Sequence, residues 1–178
     1  MERKRGRTTT IAPAQIRKKL ASNTEDAQKK KVVLAPQFAQ RLMKELKMIQ
    51  SQPLDFIKLD EHIEDMSQIL VYLSGPKDSI FEGENFTLSI QITDQYPMES
   101  PIVVFVPPMH VYSNGHICLS ILYDQWTPTI GIRGICLSIV SMLASAKVKK
   151  RPPDDKDYSK TASDNPKLTQ WDFHDKFV

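Results

Sequence analysis

Residues 68–93 read QILVYLSGPKDSIFEGENFTLSIQIT, and the fold class turns on them. An apolar run, Gln68–Leu73, is bounded by Ser74-Gly75-Pro76. Phe86–Thr93 then alternates, with Phe86, Leu88, Ile90 and Ile92 on one face, as a half-buried strand requires. Turn residues at Gly75-Pro76 and Glu82-Gly83 give the connection hairpin length. A further run, Ile102–Val106, is closed by Pro107-Pro108. Strands in succession without intervening helices predict an antiparallel meander.

The period changes on both sides of this block. Upstream, Phe38, Leu42, Leu46 and Ile49 recur at i, i+4, i+8 and i+11. Arg41, Lys44 and Lys47 lie off that stripe, Pro36 suits a first helical turn, and Pro53 stops the pattern. Downstream, residues 107–131 show no period but carry an Asn114-Gly115 turn, Cys118 and Trp126. A structureless stretch of that length inside a compact domain is usually functional. After Gly131 a second helix is expected, with Ile132, Ile135, Cys136, Ile139, Val140 and Leu143 on its buried stripe. A basic, proline-bearing loop (Lys147 to Pro153) follows, then a weak helical pattern in Trp171, His174 and Phe177. The class is α+β.

Composition narrows the function. The chain has 178 residues, 40% hydrophobic and 25% charged, with a net charge of +3. Residues 1–34 hold ten basic and three acidic groups, net +7, and the remainder is −4. The expected organisation is therefore a disordered basic arm over 1–34, with a transient helix over 14–20, and one folded domain over 35–178. The arm reads equally as a nuclear localisation signal, a binder of nucleic acid or an acidic partner, or a solubilising tail. It interleaves no aromatics with its charges, so single-strand stacking is not expected. No membrane span, signal peptide, zinc-ligand spacing, phosphate-cradling glycine loop or internal repeat is expected. With two cysteines there is no disulfide framework, and a reducing compartment, cytosol or nucleus, is expected.

The two cysteines read differently. Cys136 sits on an apolar helical stripe, as a small buried hydrophobe does. If residues 115–121 are extended, Ile117, Leu119 and Ile121 point one way and His116, Cys118 and Ser120 the other. Cys118 then lies on the polar side, just past an Asn-Gly turn. Its two readings, nucleophile and structural thiol, stay open on context alone. His116 is a solvated histidine or a catalytic one.

The run Tyr112-Ser113-Asn114-Gly115-His116-Ile117-Cys118-Leu119 resembles the active-site signature of ubiquitin-conjugating enzymes. Residues 74–83, Tyr96-Pro97-Met98-Glu99-Ser100-Pro101, Trp126-Thr127-Pro128 and Pro152-Pro153-Asp154 resemble further family segments, in the family's order. The tail, Asn165-Pro166-Lys167 with Trp171 and Phe173-His174-Asp175, is similar to the W-type subgroup, which favours α-amino groups. The resemblance implies a helix, a four-stranded antiparallel meander (its fourth strand within 102–107), an active-site loop, a core helix and a C-terminal helical segment. It implies that Cys118 takes ubiquitin as a thioester from an activating enzyme and passes it to an amine. No cofactor is expected, since ATP is spent upstream. The partners implied are ubiquitin, the activating enzyme, a ligase of RING or U-box type and a substrate protein's amine. Nucleic acid is a weaker candidate through the arm, and no membrane is implied. Localisation to nucleus and cytoplasm is expected.

By the same resemblance, Arg41, Lys44, Met98, Trp126, Pro128 and Thr129 match positions that meet the activating enzyme and ligases. Asn114, Gly115, His116 and Ser120 belong to the active-site loop. The sequence departs from the family's His-Pro-Asn element, where it has Pro108, Met109 and His110 in a shortened connection. His110 is the candidate for oxyanion or loop support, and loop packing is its plain alternative. Ser120 stands where many lysine-directed members have Asp. An α-amine is free base about 300-fold more often than lysine near neutral pH, from a gap of ~2.5 pKa units. A site without that Asp therefore loses more with lysine. Asp154 or Asp155 is expected to position the amine, or else to form a solvated turn. Competing readings are a non-catalytic variant that binds ubiquitin or a ligase, a carrier of a ubiquitin-like modifier, and a nucleic-acid-binding protein.

Overall fold

The computed structural model describes residues 15–16, 32–63, 65–106 and 112–173. The chain divides into two units, residues 1–31 and 32–178. Of the first, only Gln15 and Ile16 are described, both helical, so the expected disorder of the arm lies outside the described residues.

The second unit opens with helix α1 (Pro36–Ser51). Its start is favoured by Pro36, whose missing N–H falls where no helical partner exists. Three positions of the stripe read from sequence, Leu42, Leu46 and Ile49, form its buried face, and the fourth, Phe38, is half-buried. The Gln52 N–H donates to Met48 O (2.9 Å), and Pro53 ends the helix.

Four strands follow, β1 (Ile57–Leu59), β2 (Gln68–Ser74), β3 (Asn85–Gln91) and β4 (Ile102–Phe105), paired antiparallel in the order β1-β2-β3-β4. One correction concerns the fourth strand. It is β1, ahead of the other three, and not a strand within 102–107, which holds β4 alone. Ile57-Lys58-Leu59 is too short to show a period and is flanked by Asp55 and Asp60. Only its pairing with Val71–Leu73 makes it a strand.

The register aligns the apolar positions across the sheet. Leu59, Val71, Leu88 and Phe105 stand opposite one another strand by strand, as do Ile57, Leu73 and Phe86. A one-residue slip would turn all of them to the other face, so burial specifies this register. The rows join Leu42, Leu46 and Ile49 of α1 and the buried stripe of helix α2 (Gly131–Ser145) in one apolar cluster. Cys136 lies in it, fully buried, and burial pushes its thiol up to about 12.

Glu45 sets the seat of α2. Its carboxylate accepts the Ile132 N–H (2.9 Å), the Tyr96 hydroxyl (2.7 Å) and Arg41 Nε (2.8 Å). The first N–H groups of a helix lack internal partners, and a carboxylate there also meets the positive end of the helix dipole. Gly131 has φ +61, and a Cβ there would lie 2.8 Å from a Glu45 oxygen, so glycine lets the carboxylate approach.

A short helix α3 (Asp155–Thr161) and single 3-10 turns at Ser120–Leu122 and Pro166–Leu168 complete the described elements. A second correction concerns the end of the chain. Residues 171–173 are not helical, and His174 and Phe177 lie outside the described residues.

Leu88, fully buried in the longest cross-strand row, gives a test of this core. Leu88→Ala is expected to cost ~2–5 kcal/mol of unfolding free energy, read as a lower urea midpoint at unchanged slope.

Candidate active site

The loop bearing Cys118 hangs on the edge strand β4. The Phe105 N–H donates to Gly115 O (2.8 Å), and His116 forms an isolated bridge with Val104. Gly115 has φ +85, and a Cβ there would lie 2.1 Å from Phe105 O, so only glycine allows this approach. The turn before it is closed by Gly115 N–H to Tyr112 O (2.9 Å) and by Asn114 Oδ1, which accepts the His116 N–H (3.1 Å).

Beyond the turn, Ile117 and Leu119 are buried on either side of the half-buried Cys118. The extended reading of 115–121 holds only as far as Leu119, since Ser120–Leu122 is a 3-10 turn. His116 and Ser120 are both 2% exposed, so of the three residues read as a polar side only Cys118 reaches the surface. Ser120 is buried by its turn, and His116 is covered by later parts of the chain. The His116 ring Nδ1 is 2.8 Å from the Tyr158 hydroxyl. Burial pulls the His116 pKa below its usual value, with a bond to the Asp164 backbone opposing.

Asp154 and Asp155 face this loop. Asp155 Oδ1 accepts the Ser113 N–H (2.5 Å) and the Ser159 hydroxyl (3.1 Å), and Arg151 lies 3.6 Å from its other oxygen. The bond from the Ser113 backbone holds its carboxyl below the usual range, against the effect of burial. Asp154 accepts the Tyr112 hydroxyl at 3.3 Å through both oxygens. Both carboxylates are thus turned toward residues just before the thiol.

The C-terminal segment closes the site. The Trp171 ring lies 5.7 Å from Tyr112, 5.6 Å from Tyr123 and 5.4 Å from Tyr158, centroid to centroid. Its indole N–H donates to Pro166 O (3.0 Å). The Tyr158 hydroxyl is also 2.8 Å from Thr169 Oγ1, and Phe173 packs on Tyr123 at 5.5 Å. The thiol of Cys118 donates to Asp172 O at 3.6 Å. Among these neighbours Tyr112 has its hydroxyl pKa pushed up to about 12, by burial first and then by Asp154. His110, with Pro108 and Met109, lies outside the described residues.

A second group lies on another part of the unit. Arg41, besides its bond to Glu45, donates to Pro128 O. Trp126 donates to Pro97 O (2.9 Å), and Thr129 Oγ1 pairs with Thr127 Oγ1 (2.8 Å). Arg41, Trp126, Pro128 and Thr129 are therefore joined through α1 and two loops, with Met98 61% exposed beside them and Lys44 exposed on the helix. Sequence reasoning missed Glu45 and Tyr158. Tyr158 sits in a polar heptapeptide, Asp155–Thr161, that carries no apolar stripe to mark it.

His116 gives a pH-dependent test. The unfolded chain takes its proton near the usual ~6.5, the folded chain only at lower pH, so the unfolded state binds more protons in acid. Stability is expected to be level above about pH 7 and to fall as the pH drops through the unfolded chain's ~6.5. His116→Gln should flatten that fall, as measured by urea unfolding at several pH values.

A family model described as ubiquitin-conjugating enzyme matches residues 41–173. A probable ubiquitin-conjugating enzyme E2 W-A of Danio rerio is 44% identical over 143 residues, 76% of this chain and 94% of that one. The ubiquitin-conjugating enzyme E2 W of Caenorhabditis elegans is 44% identical over 145 residues, 78% of this chain and 95% of that one. The crystal structure of ubiquitin-conjugating enzyme E2 UbcA1 from Agrocybe aegerita superposes with a TM-score of 0.67 at 42% identity, covering 72% of this chain and 96% of that one.

Proposed function

The chain belongs to the ubiquitin-conjugating enzyme family, with its similarity to the W-type members, and from that premise we propose that Cys118 carries ubiquitin and passes it by preference to N-terminal α-amino groups. Enzymes of this family form a thioester intermediate and transfer ubiquitin, working with an activating enzyme and ligases. One observation carries the assignment to Cys118: of the chain's two thiols it alone is not buried, in the loop whose sequence resembles the family signature.

The chemistry is two acyl transfers. The Cys118 thiolate attacks the carbonyl of the ubiquitin thioester on the activating enzyme. A new S–C bond forms, the old one breaks, and the activating enzyme's thiolate leaves. An unprotonated amine then attacks the Cys118 thioester. The C–N bond forms, the C–S bond breaks, Cys118 leaves as thiolate, and the amine's proton passes to solvent. A thiol of ordinary pKa ~8.5 suffices as nucleophile, because the incoming carbonyl is already activated. Oxyanion support in the second step is assigned to His110.

The α-amine preference is supported by what the site offers the incoming amine. Ser120 supplies no carboxylate, and Asp154 and Asp155, proposed to position the amine, share that part with the bonds they accept from Tyr112, Ser113 and Ser159. An amine already largely unprotonated near neutral pH needs less help than lysine. The face bearing Arg41, Lys44, Met98, Trp126, Pro128 and Thr129 is assigned to the activating enzyme and to a RING or U-box ligase. Nucleus and cytoplasm are the proposed locations, on the strength of the basic arm and of two cysteines that form no disulfide.

Incubation with activating enzyme, ATP and ubiquitin should give an adduct on a non-reducing gel that thiol reductant removes. Cys118→Ser should abolish the reducible adduct, and its persistence would sink the assignment. The charged wild-type enzyme should then discharge faster onto a peptide whose one amine is its N-terminus than onto free lysine; the reverse order would overturn the acceptor claim.

A further inference from the structure

We propose that residues 165–173 form a latch over Cys118, which has to lift before the thiol can be acylated. This rests on Cys118 as the acylated residue. Its cover is a main-chain group: Asp172 O lies 3.6 Å from Cys118 Sγ and accepts its S–H. An acyl group bonded to that sulfur needs its own carbonyl within two bonds of it. The Asp172 peptide unit borders that same volume.

The latch is anchored along its length by side chains. At its root, Asn165 Oδ1 accepts the Lys167 N–H (3.0 Å), while the Lys167 ammonium donates to Ser100 O and lies 3.7 Å from Glu99. In the middle, Thr169 meets the Tyr158 hydroxyl, which also meets His116 of the thiol loop. Toward its end, Trp171 sits among Tyr112, Tyr123 and Tyr158, and Phe173 lies on Tyr123. Residues 169–173 belong to no helix or strand, so no backbone ladder holds this part of the chain closed. The anchors are separate contacts that can be released without unfolding the sheet or α2.

The root of the latch also reaches the face assigned to ligases. Lys167 shares a pocket of about 380 Å³ with Met98, Ser100, Leu122, Tyr123 and Trp126. Tyr123 lines that pocket and at the same time carries Trp171 and Phe173. The latch therefore runs from the loop of Met98 to the thiol.

Alkylation of the full chain with iodoacetamide tests the latch without any ubiquitin chemistry. The rate at Cys118 is read by peptide mass between about pH 6.5 and about pH 9. The buried Cys136 is the internal control, since its modification reports unfolding. Trp171→Ala should raise the plateau rate at Cys118 by about tenfold and Lys167→Met by about threefold, each through a larger open fraction, with the pH midpoint unmoved. An unchanged or slower plateau, or a change confined to the midpoint, overturns the proposal. If Cys136 reacts in Trp171→Ala, the milder Lys167→Met decides. If the variants uncover Cys118 as expected and it still takes no ubiquitin, the latch stands and the assignment of the thioester falls.

Discussion

The approach of Gly115 to the backbone of Phe105 is the constraint from which the site follows. A sheet edge leaves N–H and C=O groups unpaired, and β4 satisfies part of that demand with the thiol loop instead of a fifth strand. A Cβ at position 115 would meet Phe105 O at 2.1 Å, so one glycine holds the loop against the sheet. Once Gly115 and His116 are fixed on the edge, Ile117 and Leu119 drop into the core and Cys118 is left between them, facing out. The core that stabilises the domain thereby also sets the direction of the thiol.

Polar groups near the thiol are largely spent on holding the loop. The Asp155 carboxylate takes the Ser113 N–H, Asp154 takes the Tyr112 hydroxyl, and Tyr158 bridges His116 to Thr169. Burial also pulls the pKa of His116 below its usual value, with Asp164 opposing, while its ring Nδ1 faces the Tyr158 hydroxyl.

The side bearing Arg41, Trp126 and Pro128 is organised by a single carboxylate. Glu45 gathers Arg41 of α1, Tyr96 of one loop and the first turn of α2, while Arg41 reaches Pro128 of the other loop. Arg41 thus has a structural share as well as a surface one. Loops otherwise free to vary are kept in fixed relation by paired charges that are partly withdrawn from water.

The sequence by itself determined the α+β class, both main helices with their buried stripes, three of the four strands and the separation of the two cysteines. These are local signals: periods of 3.6 and 2, and proline or glycine at the ends of elements. Tertiary structure alone decided the rest. Ile57–Leu59 is a strand because Val71–Leu73 pairs with it. His116 and Ser120, polar in an alternating run, are buried because α3, the C-terminal segment and a 3-10 turn enclose them. Asp172 comes to Cys118, and Trp171 to Tyr112, across more than fifty positions of chain. No periodicity records such a meeting, since it depends on where two separately folded stretches are carried by the core between them.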